Sequence, residues 1–485
     1  MIKKIVLSIT LLAAVVLSAQ ARPEAEYKKL RITYELAPDG SLEMNCYKEL
    51  KYNTHSSFNN YFGETFVLYN PAFETVTVNA SYTIQADGNK ITTPDNAFNE
   101  VLPRVAAKAP AYNHLKELVI THTGLELGAT VYLDYTIRSK AGYYPALDID
   151  IPLQGYASMT DAVITVIVPE GLPINTLSMG NPTRKKTTAN GKDTYTFSYR
   201  NVPAMTEWLI PAYYKDYPHV VVNTYAPNED PFNVISDAFN AAECTDELRA
   251  LAQSLGSEEK INQYVASSLA DCPIPLSQTG YRMRTPQEVY SSAYGTQAEK
   301  TMLAFVLLKA LGNNPVVYPI YPAGLDRMST SFKKGLVSIS RLSLSKPEAP
   351  KGIDITETVN VALTAADAQK VLYTLPTPRK GIATWRLSSL NTKRKLAMEL
   401  PATVSESYTY LISCEEGVRT NIKPATKTLS NGVGHVEIVL AKDKITRSLH
   451  IEKALLTPAD YPAFRALMSL WENPTGKTFI VEKIK

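Results

Sequence analysis

Gly295-Thr296-Gln297-Ala298-Glu299-Lys300, followed by the apolar run Thr301 to Leu311, fixes the reading of this chain. Thr296 and Glu299 have the spacing of a helix N-cap and its capping-box partner. Met302, Phe305 and Val306 continue at helical periodicity, and Gly312 stands where a helix would stop. A helix is predicted to begin at Thr296. Its first turn carries Gln297, whose amide cannot attack a carbonyl.

Working outward, the residues after Ala226-Pro227 keep a helical period. Thr245 is placed to cap a helix carrying Leu248, Leu251 and Leu255, and Ser257 one carrying Ile261, Val265 and Leu269. Thr285-Pro286-Gln287-Glu288 is a capping box with proline at the first helical position. Pro315 to Ile320 reads as a strand, so the module is α+β. On its N-terminal side, from Arg22 to Asn223, apolar residues alternate with period two, as in Thr75 to Val78, Val131 to Tyr135, Val163 to Val168 and Thr194 to Phe197. Asp39-Gly40, Asp87-Gly88 and Asn190-Gly191 supply turns, giving a β-sandwich. From Leu336 onward β alternation returns, clearest at Tyr408 to Ile412 and His435 to Leu440. A late helix from Thr457 or Asp460 through Phe464, Leu467 and Trp471 precedes a last strand at Phe479 to Val481. The expected divisions are a β-sandwich at 22–223, an α+β core at 224–335 and a β-rich C-terminal domain at 336–485. Asp148-Ile149-Asp150 sets two carboxylates on one strand face, which a solvated face would explain.

The segment Thr285 to Val289 together with Gly295 to Gly312 resembles the bacterial transglutaminase-like (papain-like) core, whose pattern here is Gly-Asp-Cys-x-Asp-Lys before an apolar helix. Gly295, Lys300 and the apolar face match, Glu299 replaces the second Asp, and Gln297 takes the place of the cysteine. Upstream, Asn79-Ala80 through Asp87-Gly88, Gly124 to Gly128 with Tyr132 and Tyr135, and the series Glu207, Pro211, Pro218-His219-Val220 resemble the domain of unknown function 3857. That domain precedes a transglutaminase-like core in envelope proteins of Bacteroides-like bacteria. Leu449 to Lys453, with Tyr461, Phe464-Arg465, Phe479 and Lys483, is similar to the closing domain of the same proteins.

The resemblance implies a Cys, His, Asp triad, and the chain departs from it at every member. No histidine lies between His219 and His435; Phe332 to Val337 resembles the stretch of the catalytic His, with Lys334 at its position, and no Asp-Pro-Thr follows. A lysine there is protonated and is no base. There is no Cys-x-x-Cys, His-x-x-x-His, Gly-rich phosphate loop or Gly-x-Ser-x-Gly, so no motif calls for a metal, nucleotide or other cofactor.

Lys3 and Lys4, the apolar stretch Ile5 to Leu17 and Ala19-Gln20-Ala21 read as a signal peptide over 1–21, cleaved after Ala21. Arg22, not a cysteine, stands directly after the site, so a lipoprotein is not expected, and no later apolar run spans a bilayer; the mature chain is expected in the periplasm. Without the signal the net charge is +1, and the clusters Arg184 to Lys186 and Lys393 to Lys395 are short, which excludes nucleic acid as the natural partner. Cys244 and Cys272 flank two candidate antiparallel helices in an oxidising compartment and are expected to form a disulfide. The function these features suggest is a catalytically inactive transglutaminase-like envelope protein that binds a peptide, glycan or partner protein. Alternatives are an envelope hydrolase or acyl transferase working outside the lost triad, and an architectural subunit of an envelope assembly.

Overall fold

The computed structural model describes residues 23–58, 61–346, 352–363, 368–385, 387, 390 and 393–484; the signal segment 1–21 lies outside them. The chain is multidomain and β-rich. It divides into two compact units, one of residues up to Thr206 and Ala212–Pro347, the other of Glu207–Pro211 and Glu348–Lys485.

In the first unit, an eight-stranded sheet runs in the spatial order Thr183–Ala189, Lys192–Val202, Ala157–Pro169, Ala25–Leu36, Leu42–Tyr52, Thr130–Ser139, Glu74–Ile84, Lys90–Thr92. Ala25–Leu36 and Ala157–Pro169 are parallel; the other pairs are antiparallel. Register places Phe197, Ile164, Ile32, Cys46, Tyr135 and Val78 side by side in one row across six strands. Because side chains alternate faces, this row and its neighbours two residues away form the buried face. Two small sheets share that face. Glu64–Tyr69, Lys116–Thr121 and Phe98–Val101 bury Val67 and Ile120 against Leu133, while Asp148–Pro152, His219–Asn223 and Asn175–Met179 bury Ile149, Val220 and Val222 against Ile164 and Phe197. The predicted hairpin turn at Asn190-Gly191 has positive φ at both residues, 54° and 70°.

The helical part of this unit comprises α1 (Asn233–Ala241), α2 (Asp246–Leu255), α3 (Glu258–Ser267), α4 (Pro286–Ser292), α5 (Gln297–Ala310) and α6 (Ala323–Met328). Each predicted cap is present: Thr245 accepts from Leu248 N, Ser257 from Lys260 N, and Thr285 and Thr296 each close a full capping box. Helix α5 is buried all round from Met302 to Leu308, and α2, α3 and α4 pack about it. Such a helix is held by its neighbours rather than by one apolar stripe.

Two expectations are corrected here. The boundary drawn at 335/336 moves to 347/348, because Leu336 and Leu342 belong to the α5 core and Arg341–Ser343 pairs with Tyr318–Ile320. The Cys244–Cys272 disulfide is not formed: both thiols are free. After α3 the chain enters a short strand, Ala270–Asp271, paired with Tyr294–Gly295, and Cys272 N donates to Gly295 O. This pairing draws Cys272 into a cluster with Tyr112, Leu115 and Ile274, whereas Cys244 packs against the α5 core at the start of α2.

The second unit has a five-stranded sheet in the order Ile353–Val361, Val404–Cys414, Lys444–Ile451, Gly434–Leu440, Ala425–Asn431, and a three-stranded sheet of Lys370–Thr374, Thr478–Lys483 and Val418–Thr420. Helix α7 (Tyr461–Trp471) contributes Phe464, Leu467 and Trp471 to its single core. The Glu207–Pro211 segment is bonded into this unit: Glu399 N donates to Leu209 O, and the Glu207 carboxylate accepts from Lys395 N and Leu396 N.

Candidate functional site

The start of α5 is built by a buried ion pair. The Glu299 side chain is fully buried; it receives Thr296 N at 2.9 Å, Arg284 N and Nε at 3.0 and 3.1 Å, and the Tyr112 hydroxyl at 2.5 Å. Burial raises the carboxyl's pKa, but the hydrogen bonds from Arg284, Tyr112 and Thr296 outweigh it and hold the group below the usual range. Lys300 reaches Asp271 at 2.7 Å and Leu269 O at 3.1 Å. The capping box and Lys300, which carried the sequence resemblance, are thus structural supports of the helix start.

Gln297 spans the mouth of the site. Its Nε2 donates to Leu342 O at 2.8 Å and its Oε1 accepts from Leu342 N at 2.9 Å, so the amide pairs with a strand residue much as a neighbouring strand would; Nε2 also lies 3.0 Å from Thr301 Oγ1. Two grooves meet at this bridge, and Gln297, Arg341 and Leu342 line both. One, of about 300 Å³, is walled by Ile274, Leu276, Tyr281, Ala298 and Ile339; the other, of about 390 Å³, by Glu258, Asn262, Lys300, Thr301 and Ser343. Cys272 lines the apolar groove, but burial pushes its thiol upward in pKa, the opposite of an activated thiolate.

Lys334 is not at this mouth. It pairs with Asp326 of α6, and its ammonium lies 4.8 Å from the Tyr321 ring centre. The strand residue that meets the α5 start is Leu342.

The structure overturns the solvated reading of Asp148 and Asp150. His219–Asn223 is buried at all five positions, so the small sheet it centres is covered on both faces. Asp150 and His219 lie on the face turned toward Tyr213 and the 333–338 loop. Asp150 accepts from Ser338 Oγ at 2.7 Å and contacts Tyr213 and His219. His219 Nδ1 lies 2.8 Å from Ala212 O, and its ring stacks on Tyr213. Both ring nitrogens thus face acceptors, the Ala212 carbonyl on one side and the Asp150 carboxylate on the other. Burial raises the Asp150 pKa, but the bonds from His219, Tyr213 and Ser338 prevail and lower it. Asp148 accepts from Val337 N at 3.0 Å and Tyr225 OH at 3.2 Å; its Oδ1 is buried without a hydrogen-bond partner, and burial pushes its pKa up to about 6. Asn223 Nδ2 donates to Lys333 O at 2.8 Å. This polar seam anchors the loop leading to Leu342. His219, at 2 % exposure, is closed to substrate. The signal for the seam was the run Pro218-His219-Val220-Val221-Val222: a histidine in an apolar strand needs a buried partner.

The family model of the domain of unknown function DUF3857 matches residues 38–206, and that of DUF3858 matches residues 370–481. A crystal structure of a candidate protease from Parabacteroides distasonis is 34% identical, with a TM-score of 0.82 over 95% of this chain and 99% of that one. The chain belongs to the family of that protein. Legionella pneumophila aminopeptidase A in complex with aspartic acid (11% identity, 43% of this chain and 22% of that one, TM-score 0.24) and an M1 zinc metallopeptidase from Deinococcus radiodurans (14%, 41% of each, TM-score 0.22) are too dissimilar to carry an argument. No curated protein matches the chain. Among the described residues no helix is long and apolar enough to cross a membrane.

Proposed function

We propose that this chain is a catalytically inactive transglutaminase-like protein of the bacterial envelope that holds an extended ligand in the groove at the start of α5. The observation that carries the reading is the use of Gln297. Where an acyl-transfer enzyme of this type needs a thiolate beside a base, this chain has an amide whose oxygen and nitrogen both bond the Leu342 backbone. Neither Lys334 nor His219 supplies a base there, the first paired with Asp326 and the second buried against Asp150. The description of the Parabacteroides distasonis relative as a candidate protease makes a peptide the first ligand to test.

The test compares wild type with Gln297→Cys for ammonia release, amine incorporation and peptide cleavage. Neither protein is expected to turn over substrate, because a thiol restored without a base gains only the helix-end part of its activation. Turnover by the wild type refutes the inactive reading. Turnover by the variant alone refutes the absence of a base.

A further inference from the structure

Gln297 and Leu342, the two residues of the bridge, line both grooves, as Arg341 does. One charged side chain lines the apolar groove, Arg341, and it makes no hydrogen bond or ion pair among the described residues. Along the same walls the hydroxyls of Ser277 and Ser340 are also without hydrogen-bond partners among the described residues, between the apolar surfaces of Ile274, Leu276, Tyr281 and Ile339. We infer that the apolar groove receives the C-terminal end of a peptide with apolar last residues, its terminal carboxylate bound by Arg341 beside the Gln297 bridge. This rests on the binding-groove reading above and names the ligand class.

Each part of the ligand answers a feature of the groove. An unpaired guanidinium on an apolar wall matches a carboxylate, to which it can donate two parallel hydrogen bonds. The apolar walls match aliphatic side chains, and the two spare hydroxyls match peptide amides, which a plain acyl chain lacks. With the bridge as the end of the apolar groove, the carboxylate that Arg341 meets is the last group of the chain.

The probe is a pool of fluorescein-labelled pentapeptides randomised over alanine, valine, leucine and phenylalanine, made once with a free C-terminus and once amidated, and followed by fluorescence anisotropy. The free-acid pool is expected to bind about tenfold more tightly than the amide pool, the effect of one charge-assisted interaction. Arg341→Gln is expected to erase that preference, so that the variant binds its free-acid and amide pools equally; Arg341 is exposed, so the fold should tolerate the change. Equal binding of both pools to wild type overturns the C-terminal inference and leaves the groove reading standing. Binding of neither pool overturns both. Displacement of the free-acid pool by decanoate at equal concentration overturns the choice of a peptide.

Discussion

Asp148→Asn should make the first unit more resistant to unfolding as pH rises, relative to wild type. Burial lifts the Asp148 carboxyl from an ordinary 3.8 to about 6, while the unfolded chain keeps the ordinary value. Between those values the folded state binds more protons than the unfolded one, so this group's contribution to stability falls as pH rises. With a shift of about two units at ~1.4 kcal/mol each, wild type should lose roughly 2 kcal/mol between pH 4 and pH 8 that the uncharged variant keeps. The asparagine oxygen can still accept from Val337 N and Tyr225 OH, and its amino group replaces Oδ1, the atom without a partner. Any cost of that replacement is independent of pH, so the slope carries the test. Urea unfolding from pH 4 to pH 8 measures it, followed by tyrosine emission, because Trp208, Trp385 and Trp471 all lie in the second unit. A difference between the two proteins that stays flat across this range refutes the reasoning. A variant that loses stability with pH relative to wild type would mean the backbone amides at Leu336 and Val337 stabilise the ionised carboxylate more than burial opposes it.

Gly335→Ala would bring a Cβ to 2.0 Å from Asp148 Oδ1 and should destabilise the first unit by about 2 kcal/mol; the cost should shrink in an Asp148→Ala background, as a double-mutant cycle would reveal. Glu299→Gln removes the buried partner of Arg284 and should cost about 3 kcal/mol at neutral pH. Because the Glu299 pKa is lowered by folding, its stabilisation is present above the ordinary glutamate value of 4.5 and is lost as pH falls through the folded value, so the variant should show a weaker acid limb. Thiol titration of unfolded, unreduced protein should find four free cysteines, with Cys414, the exposed one, labelled first in the native state; two labelled thiols would restore the Cys244–Cys272 bond.

What could be read from the sequence was local. Thr245, Ser257, Thr285 and Thr296 announce their helices because a cap and its partner lie within four residues. Asn190-Gly191 announces its turn through the positive φ it tolerates. Pairings between distant segments were not legible. Asp148 and Asp150 looked solvated because alternation reports one strand, and the cover on their face comes from Tyr213 and Ser338, far along the chain. Lys334 was assigned by resemblance to a place beside the α5 start; in the structure it pairs with Asp326, and the residue that bonds Gln297 there is Leu342. The cysteine pair failed for the same reason: flanking a helical hairpin brings two residues near only if the chain beyond stays there, and the Ala270–Asp271 strand leads it away.

The Glu207–Pro211 segment makes the second unit discontinuous in the gene. A fragment covering 348–485 would lack Leu209, which packs on its core and accepts the Glu399 amide, and Glu207, which takes the amides of Lys395 and Leu396 and lies beside Arg394. During synthesis these five residues leave the ribosome nearly two hundred positions before the backbone they bond, so the second unit cannot close until the whole first unit has been made. A self-sufficient version of it would have to be written in a new order, with 207–211 tethered to one end of 348–485 by an engineered linker.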